Sequence, residues 1–340
     1  MATKLILIPS RKPQSNMHLE QINTQLISPK LATRASCPGL LQTSPRPVKF
    51  GTKSTAPSTV PPPNTLGTRP LVVLHGGPGL TSAYVLPLSN LTTTLSLPVI
   101  IYDQLGNGRS THLPDKLHDT TFWSEDLFLL ELKLLLEHLG IYDNYDLFGN
   151  SWGGMLAARH AANQPGGLKK LIIMSAPASL DLWMANQSVL RSNLPQEIQE
   201  TLLRCEKEGK TDSTEYQEGI KVYSGRHLCT VDPMPEELKE SFVAAMGDPT
   251  VYHTMYGPNR FNVTGTLKTW SIIDDLPKIN VPTLLTNGAT DEASDSCVSP
   301  YFKLIPRVKW VHFAKSSHMA HFEEPKKFYS VLGSFLIDDD

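Results

Sequence analysis

Near the middle of the chain a short apolar strand, Tyr145-Asp146-Leu147-Phe148, runs into Gly149-Asn150-Ser151-Trp152-Gly153-Gly154. A helix of small residues, Met155-Leu156-Ala157-Ala158-Arg159-His160-Ala161-Ala162, follows at once. Strand, Gly-x-Ser-x-Gly and helix in direct succession describe a sharp turn that lifts Ser151 above the edge of a sheet. Gly149 and Gly153 let neighbouring backbone pass close by. The N–H of Trp152 opens the helix, where developing negative charge is favoured. Taken alone, the string also describes a glycine-rich turn with a solvated serine, so the rest of the chain must decide.

The surroundings supply a sheet for that turn. Leu71-Val72-Val73-Leu74 and Pro98-Val99-Ile100-Ile101-Tyr102 read as buried strands, as do Leu171-Ile172-Ile173-Met174, Pro282 to Asn287 and Val308 to Phe313. An amphipathic helix is expected over 122–139, with Glu125 and Asp126 in its first turn and Gly140 as its stop. A closing helix is expected over 323–337. Strands alternating with helices mean a mostly parallel sheet covered on both faces, an α/β architecture. The alternation breaks between about 179 and 275, where the chain is polar and helical in character. This segment reads as a mainly helical cap, inserted over the carboxyl ends of the strands, where open sheets bind ligands. The expected organisation is a core of 67–178 and 276–340, a cap of 179–275, and an extension of 1–66.

The extension differs in composition. Residues 1–69 hold nine Lys/Arg against the single acid Glu20 and ten prolines, a net charge of +8 that leaves −10 for the remainder. Such a stretch cannot offset chain entropy by burial and is expected to be disordered; a basic, acid-poor segment also fits an organelle transit peptide. The whole chain, at −2, gives no reason to expect nucleic acid or a membrane as partner. No apolar run reaches the ~18 residues of a membrane span. Cys37, Cys205, Cys229 and Cys297 are scattered and suggest neither a zinc site nor a disulfide framework. The expectation is a cytoplasmic protein without metal or cofactor, acting on a small molecule or short peptide, with its oligomeric state open.

Acyl transfer by a serine needs a base for the Oγ proton and a carboxylate to orient that base. Asp291 follows the strand ending at Asn287, and His318 follows the strand ending at Phe313, so both fall on the same rim as Ser151. Glu292 and Asp295 are rivals for the acid, and His321 is a rival for the base. His75, between a strand end and glycines, suits a structural hydrogen bond, and Asp103 with Arg109 suits bracing of a loop. A second oxyanion donor is expected from the loop after the first strand, from Gly77 or, failing it, Gly76.

With these residues assembled, the chain resembles the prolyl aminopeptidases (proline iminopeptidases) of the α/β-hydrolase fold. The segments that carry the likeness are His75-Gly76-Gly77-Pro78-Gly79, Asp103 to Ser110, Gly149 to Gly154 and Tyr256-Gly257-Pro258-Asn259-Arg260-Phe261. The resemblance spans Pro70 to the C-terminus and implies a metal-free serine peptidase that releases N-terminal proline or a related residue. It implies Ser151 as nucleophile, Asp291 as acid, His318 as base, and Trp152 and Gly77 as oxyanion donors. Two departures stand out. Where the family's Gly-Pro-Asn segment continues with an amine-binding Glu, this chain has Arg260, which repels an ammonium or pairs with an acid. Glu215 and Glu218 are the candidates to restore the carboxylate, and an esterase or amidase acting on a small metabolite or amino-acid conjugate is the alternative function. The family also opens with a strand pair ahead of Leu71, and residues 1–69 do not read as one.

Overall fold

The computed structural model describes residues 69–338 in full and residues 6–7 and 51–54 by their backbone. Eight strands form one sheet: β1 (Ile6–Leu7), β2 (Gly51–Ser54), β3 (Leu71–Leu74), β4 (Val99–Asp103), β5 (Tyr145–Asn150), β6 (Leu168–Met174), β7 (Thr283–Gly288) and β8 (Val308–Phe313). Their spatial order is β1-β2-β4-β3-β5-β6-β7-β8. The six strands β3 to β8 run parallel, whereas β2 pairs antiparallel with β4, Gly51 opposite Asp103. A strand ahead of Leu71 therefore does exist, contrary to expectation. Gly-Thr-Lys-Ser has no apolar residue to betray it; its pairing is made by backbone on the edge of β4. The remainder of 1–66 lies outside the described residues, and with it the reading of that stretch as disordered or as a targeting segment.

The strands β3, β4 and most of β6 show no polar alternation because both faces of the sheet are covered there, whereas the edge strand β8 exposes Lys309 and His312. Val72 and Leu74 point into one core with Phe128, Leu132 and Leu156. Leu71 and Val73 point into the other, with Leu91, Phe328 and Leu332. The expected amphipathic helix spans Glu125–His138, and the Ser124 side chain accepts from the Leu127 N–H, so the cap, not the apolar pattern, sets its start. The closing helix is divided, Ala320–Glu323 and Pro325–Ile337, with proline opening the second piece.

Between β6 and β7 run five α-helices, Leu180–Ser192, Gln196–Lys207, Thr214–His227, Glu236–Gly247 and Thr250–Met255, and a 3-10 helix, Ile273–Lys278. The second and third enclose a small core of their own, containing Leu202, Cys205, Tyr216 and Tyr223. The fourth is tied to the loop after β3, where the Thr81 N–H donates to Ser241 Oγ at 2.9 Å. None of the described helices is long and apolar enough to cross a membrane.

The turn at Ser151 rests on closeness of backbone. A Cβ on Gly149 would lie 2.1 Å from the Gly153 carbonyl oxygen, and one on Gly153 would lie 2.2 Å from the Leu74 carbonyl oxygen. Gly153→Ala is accordingly expected to lose about 3 kcal/mol of stability, as overpacking against backbone does. Gly166→Ala, where nothing lies within 4 Å, should leave stability nearly unchanged. Thermal unfolding of the two variants checks this; equal melting temperatures would show that the strand and helix can separate at no cost.

Candidate active site

Ser151 sits between β5 and the helix Trp152–Ala162 with φ 54° and ψ −124°, a conformation unusual for a residue with a side chain. Its N–H donates to the Met174 carbonyl of β6 at 2.9 Å, and its carbonyl accepts from Gly154 and Met155, so both sides of the turn are pinned. Trp152 is the first residue of that helix, which leaves its N–H without an intrahelical acceptor.

The loops after β7 and β8 bring the other two groups together. His318 Nδ1 donates to Asp291 Oδ1 at 2.6 Å, and both side chains are buried. Asp291 Oδ1 also accepts from the Ala293 N–H at 2.7 Å, and Oδ2 from the Gly288 N–H at 3.3 Å. The carboxylate is thus held by backbone before it meets the imidazole. The His318 loop is fixed from behind, where Ser317 N and Oγ donate to Glu323 at 2.8 and 2.6 Å. Gly288 makes room for it: a Cβ there would lie 2.2 Å from the Ser317 carbonyl oxygen.

The remaining candidates find other work. His75 Nε2 accepts from the Gln104 N–H at 2.9 Å, leaving Nδ1 to donate to the Gly76 carbonyl, and Gln104 Oε1 accepts from Trp152 Nε1. It is a brace between the loops after β3 and β4. Asp103 accepts from the N–H groups of Ser82 and Arg109, which is the bracing expected of it. His321 donates from Nε2 to the Tyr84 carbonyl at 2.9 Å. Asp295 accepts from Asn287 and lies mostly exposed. Of the two glycines, Gly76 already donates to Tyr84 Oη at 2.6 Å, and Tyr84 donates on to Asn150 Oδ1. Gly77, at φ 118°, lines the cavity instead.

That cavity is bounded on the sheet side by Gly77, Ser151 and His318. Trp183, Tyr252, Tyr256 and Arg260, all from the segment between β6 and β7, close the opposite side. Arg260 does reach the cavity, and its NH2 forms a short hydrogen bond to Glu292 Oε2. Glu215 and Glu218 do not. Glu215 forks onto Arg204 in an exposed pair, and Glu218 is exposed on the same outer face of its helix. Tyr216, Gly219 and Tyr223 take the inward face, a 3.6-residue spacing that excludes positions 215 and 218.

Glu292, in sequence no more than a rival to Asp291 for the acid, lines the cavity. Neighbouring residues on a loop point apart, so Asp291 can serve the imidazole while Glu292 faces the cavity. Its Oε1 lies 3.8 Å from His318 Nε2. The loop itself is held by the inserted helices, since Asn186 and Gln187 both donate to the Glu292 carbonyl, at 2.8 and 3.0 Å.

Protonation separates the histidines. Burial alone would lower the His318 pKa, but the charge and hydrogen bond of Asp291, with Glu292 adding to them, raise it above 6.5. Burial lowers His75, and it lowers His160 and His321 to about 4. An unfolded chain binds these protons near pH 6.5. The three depressed histidines therefore contribute stability above pH 6.5 that is lost as pH falls toward 4, where the unfolded state holds more protons. His318 has the opposite sign, stabilising at low pH and losing that contribution as pH rises through its folded value. We expect the His318 ring resonances to titrate above pH 6.5 by NMR, those of His321 not before about pH 4. The melting temperature should fall between pH 7 and pH 5. A His318 midpoint below 6.5 would mean that Asp291 does not govern the ring.

Comparison with known proteins agrees with this geometry. The α/β hydrolase fold family matches residues 69–325. The proline iminopeptidase of Heyndrickxia coagulans is 37% identical over 270 residues, covering 79% of this chain and 91% of that one. Among solved structures, VinJ superposes with a TM-score of 0.80 at 44% identity, over 85% of this chain and 95% of that one. The proline iminopeptidase of Mycobacterium smegmatis gives 0.78 at 40%, over 85% and 94%. The chain belongs to the proline iminopeptidase family of α/β hydrolases.

Proposed function

We propose that the chain is a serine aminopeptidase that releases N-terminal proline or a related residue through an acyl-enzyme, with Ser151, His318 and Asp291 as its triad. The observation that carries the reading is the buried 2.6 Å hydrogen bond from His318 to Asp291, on the wall of the cavity that Ser151 also lines. In this reading Ser151 Oγ attacks the carbonyl carbon of the scissile bond while His318 Nε2 takes its proton. Asp291 keeps the ring in the tautomer that leaves Nε2 free and stabilises the imidazolium that forms. The oxyanion is met by the N–H groups of Gly77 and Trp152, each worth on the order of 3 kcal/mol in such a hole. His318 then protonates the departing amine. In the second half it takes a proton from water, which attacks the ester carbonyl, and returns that proton to Ser151 Oγ as the C–O bond breaks. No step calls for a metal or cofactor.

The cap accounts for the preference for a small residue. Trp183, Tyr252 and Tyr256 offer flat apolar walls to a pyrrolidine ring, locked by the hydrogen bonds from Trp183 Nε1 to Tyr256 Oη (2.8 Å) and from Tyr256 Oη to the Arg260 carbonyl (2.6 Å). Glu292 supplies the counter-charge for the free ammonium. The second reading, an esterase or amidase for acyl groups without an amine, draws its support from Arg260, whose pairing with Glu292 leaves less charge for an ammonium to meet.

Purified full chain is expected to hydrolyse prolyl aryl amides and to prefer them over simple acyl aryl esters. Ser151→Ala should lose about 10⁴-fold or more in kcat, in line with triad removal elsewhere. Turnover by that variant equal to the parent would dismiss the triad; a parent active only on esters would turn the assignment to the second reading.

A further inference from the structure

Glu292 stands between two partners. Its Oε2 is hydrogen-bonded by Arg260 NH2, and its Oε1 lies 3.8 Å from His318 Nε2. That nitrogen is the one left over once Nδ1 has donated to Asp291, and it is the one that must take the Ser151 proton. At 3.8 Å there is no hydrogen bond, but a small rotation of the Glu292 side chain would make one.

Consider the cavity without the guanidinium. Glu292 would be a carboxyl group with its side chain 6% exposed and nothing on Oε2, and a buried group left so must take up a proton or turn to a charged donor. The nearest is His318, protonated. The ring would then lie between two carboxylates, Asp291 at Nδ1 and Glu292 at Nε2, held in its charged form with the face needed by Ser151 occupied. In the structure Arg260 prevents this. It comes from the segment between β6 and β7 and lies over the Tyr223 ring at 5.4 Å, while its own carbonyl accepts from Tyr256. It is therefore fixed independently of Glu292.

We propose that Arg260 is a positioning residue for the base: by holding Glu292 it leaves the Nε2 face of His318 to Ser151. The inference rests on the triad reading above. The charged and titratable groups around His318 come from three elements. Asp291 and Glu292 lie on the loop after β7 and raise its pKa, and Arg260 from the inserted segment lowers it. His321, from the short helix that follows His318, is kept neutral by burial. Tyr223 stands near Glu292 and is also held neutral by burial.

The test uses the full chain and 4-nitrophenyl acetate, an ester without an amine, so that the base is read apart from ammonium binding. kcat/KM is followed against pH for the parent, Arg260→Met, Arg260→Lys, Glu292→Gln and the Met/Gln double variant. Melting temperature and circular dichroism report folding. The parent should lose activity as pH falls through a midpoint above 6.5. Arg260→Met frees Glu292 and removes a positive charge, and both changes raise the His318 pKa. Its midpoint should move to higher pH by about one unit, costing several-fold at neutral pH, about tenfold well below the midpoint, and little on the alkaline plateau. Arg260→Lys should restore most of that loss, and the double variant should bring the midpoint back to the parent's value or below. Glu292→Gln alone should move it to lower pH, which keeps the test open if Arg260→Met fails to fold. A loss in Arg260→Met that is equal at every pH, or an unmoved midpoint in Glu292→Gln, overturns the proposal. A parent that turns over neither the ester nor a prolyl amide, and whose Ser151 resists a fluorophosphonate probe, overturns the triad reading as well.

Discussion

The structure depends on two strips of backbone lying closer together than side chains would permit. Gly153 passes Leu74 with no room for a Cβ, and Gly149 passes Gly153 in the same way. This closeness forces Ser151 into its positive-φ conformation and turns its side chain out of the sheet. It also brings the end of β3 beside the start of the helix Trp152–Ala162. Gly77 and Ser151 thereby come to line one cavity, although they stand 74 positions apart in the sequence. Strain of this type costs on the order of 1–3 kcal/mol and survives only where its surroundings over-determine it. Here the hydrogen bond from Ser151 to Met174 and the interlock of His75, Gln104 and Trp152 supply that determination.

The segment between β6 and β7 does more than roof the cavity. Asn186 and Gln187 grip the Glu292 carbonyl, the Glu292 N–H donates to the His227 carbonyl, and His227 in turn hydrogen-bonds the Thr290 carbonyl. The loop that presents Asp291 to the imidazole is thus built partly from inserted helices. On the other side Ser241 binds both the N–H and the carbonyl of Thr81, just beyond the glycines after β3. A displacement of these helices would be felt at the Asp291 loop and at the loop carrying Gly77 together. The inserted segment and the core are therefore not separable modules in this chain, even though the sequence shows a clean change of pattern at Ala176-Pro177.

What the sequence disclosed, and what it withheld, follows from the range of each interaction. The strands β3, β4 and β6 are legible because burial on both faces leaves runs of Val, Ile and Leu, and the turn at Ser151 is legible because its glycines have no substitute. Gly51–Ser54 is invisible, because Gly-Thr-Lys-Ser carries no apolar residue and its pairing with β4 is a matter of backbone. The start of the helix at Glu125 is overrun by three residues, because Phe122 and Trp123 extend the apolar pattern while the Ser124 cap ends the helix. In the cavity, Ser151, Asp291 and His318 are found from strand ends, which chain order places on one rim. The partner of Arg260 is not found this way. Charge reversal at that position is plain in the sequence, but the acid that answers it lies 32 residues on, across an interface set by tertiary packing.

The histidines show how little residue type says about role. His75, His318 and His321 are all buried within the same end of the sheet, and all three hydrogen-bond through a ring nitrogen. His75 and His321 face backbone carbonyls, whose partial charges cannot offset burial, so both stay neutral and serve as struts. His318 faces a carboxylate that is itself satisfied by two backbone N–H groups, and only this ring is raised above its ordinary pKa. A base for serine must hold a proton readily once charged and yet be neutral at rest, and a single buried carboxylate at Nδ1 provides that balance. A second carboxylate at Nε2 would tip it toward permanent charge. On our proposal the arginine across the cavity, by holding Glu292, is where the chain keeps those two demands apart.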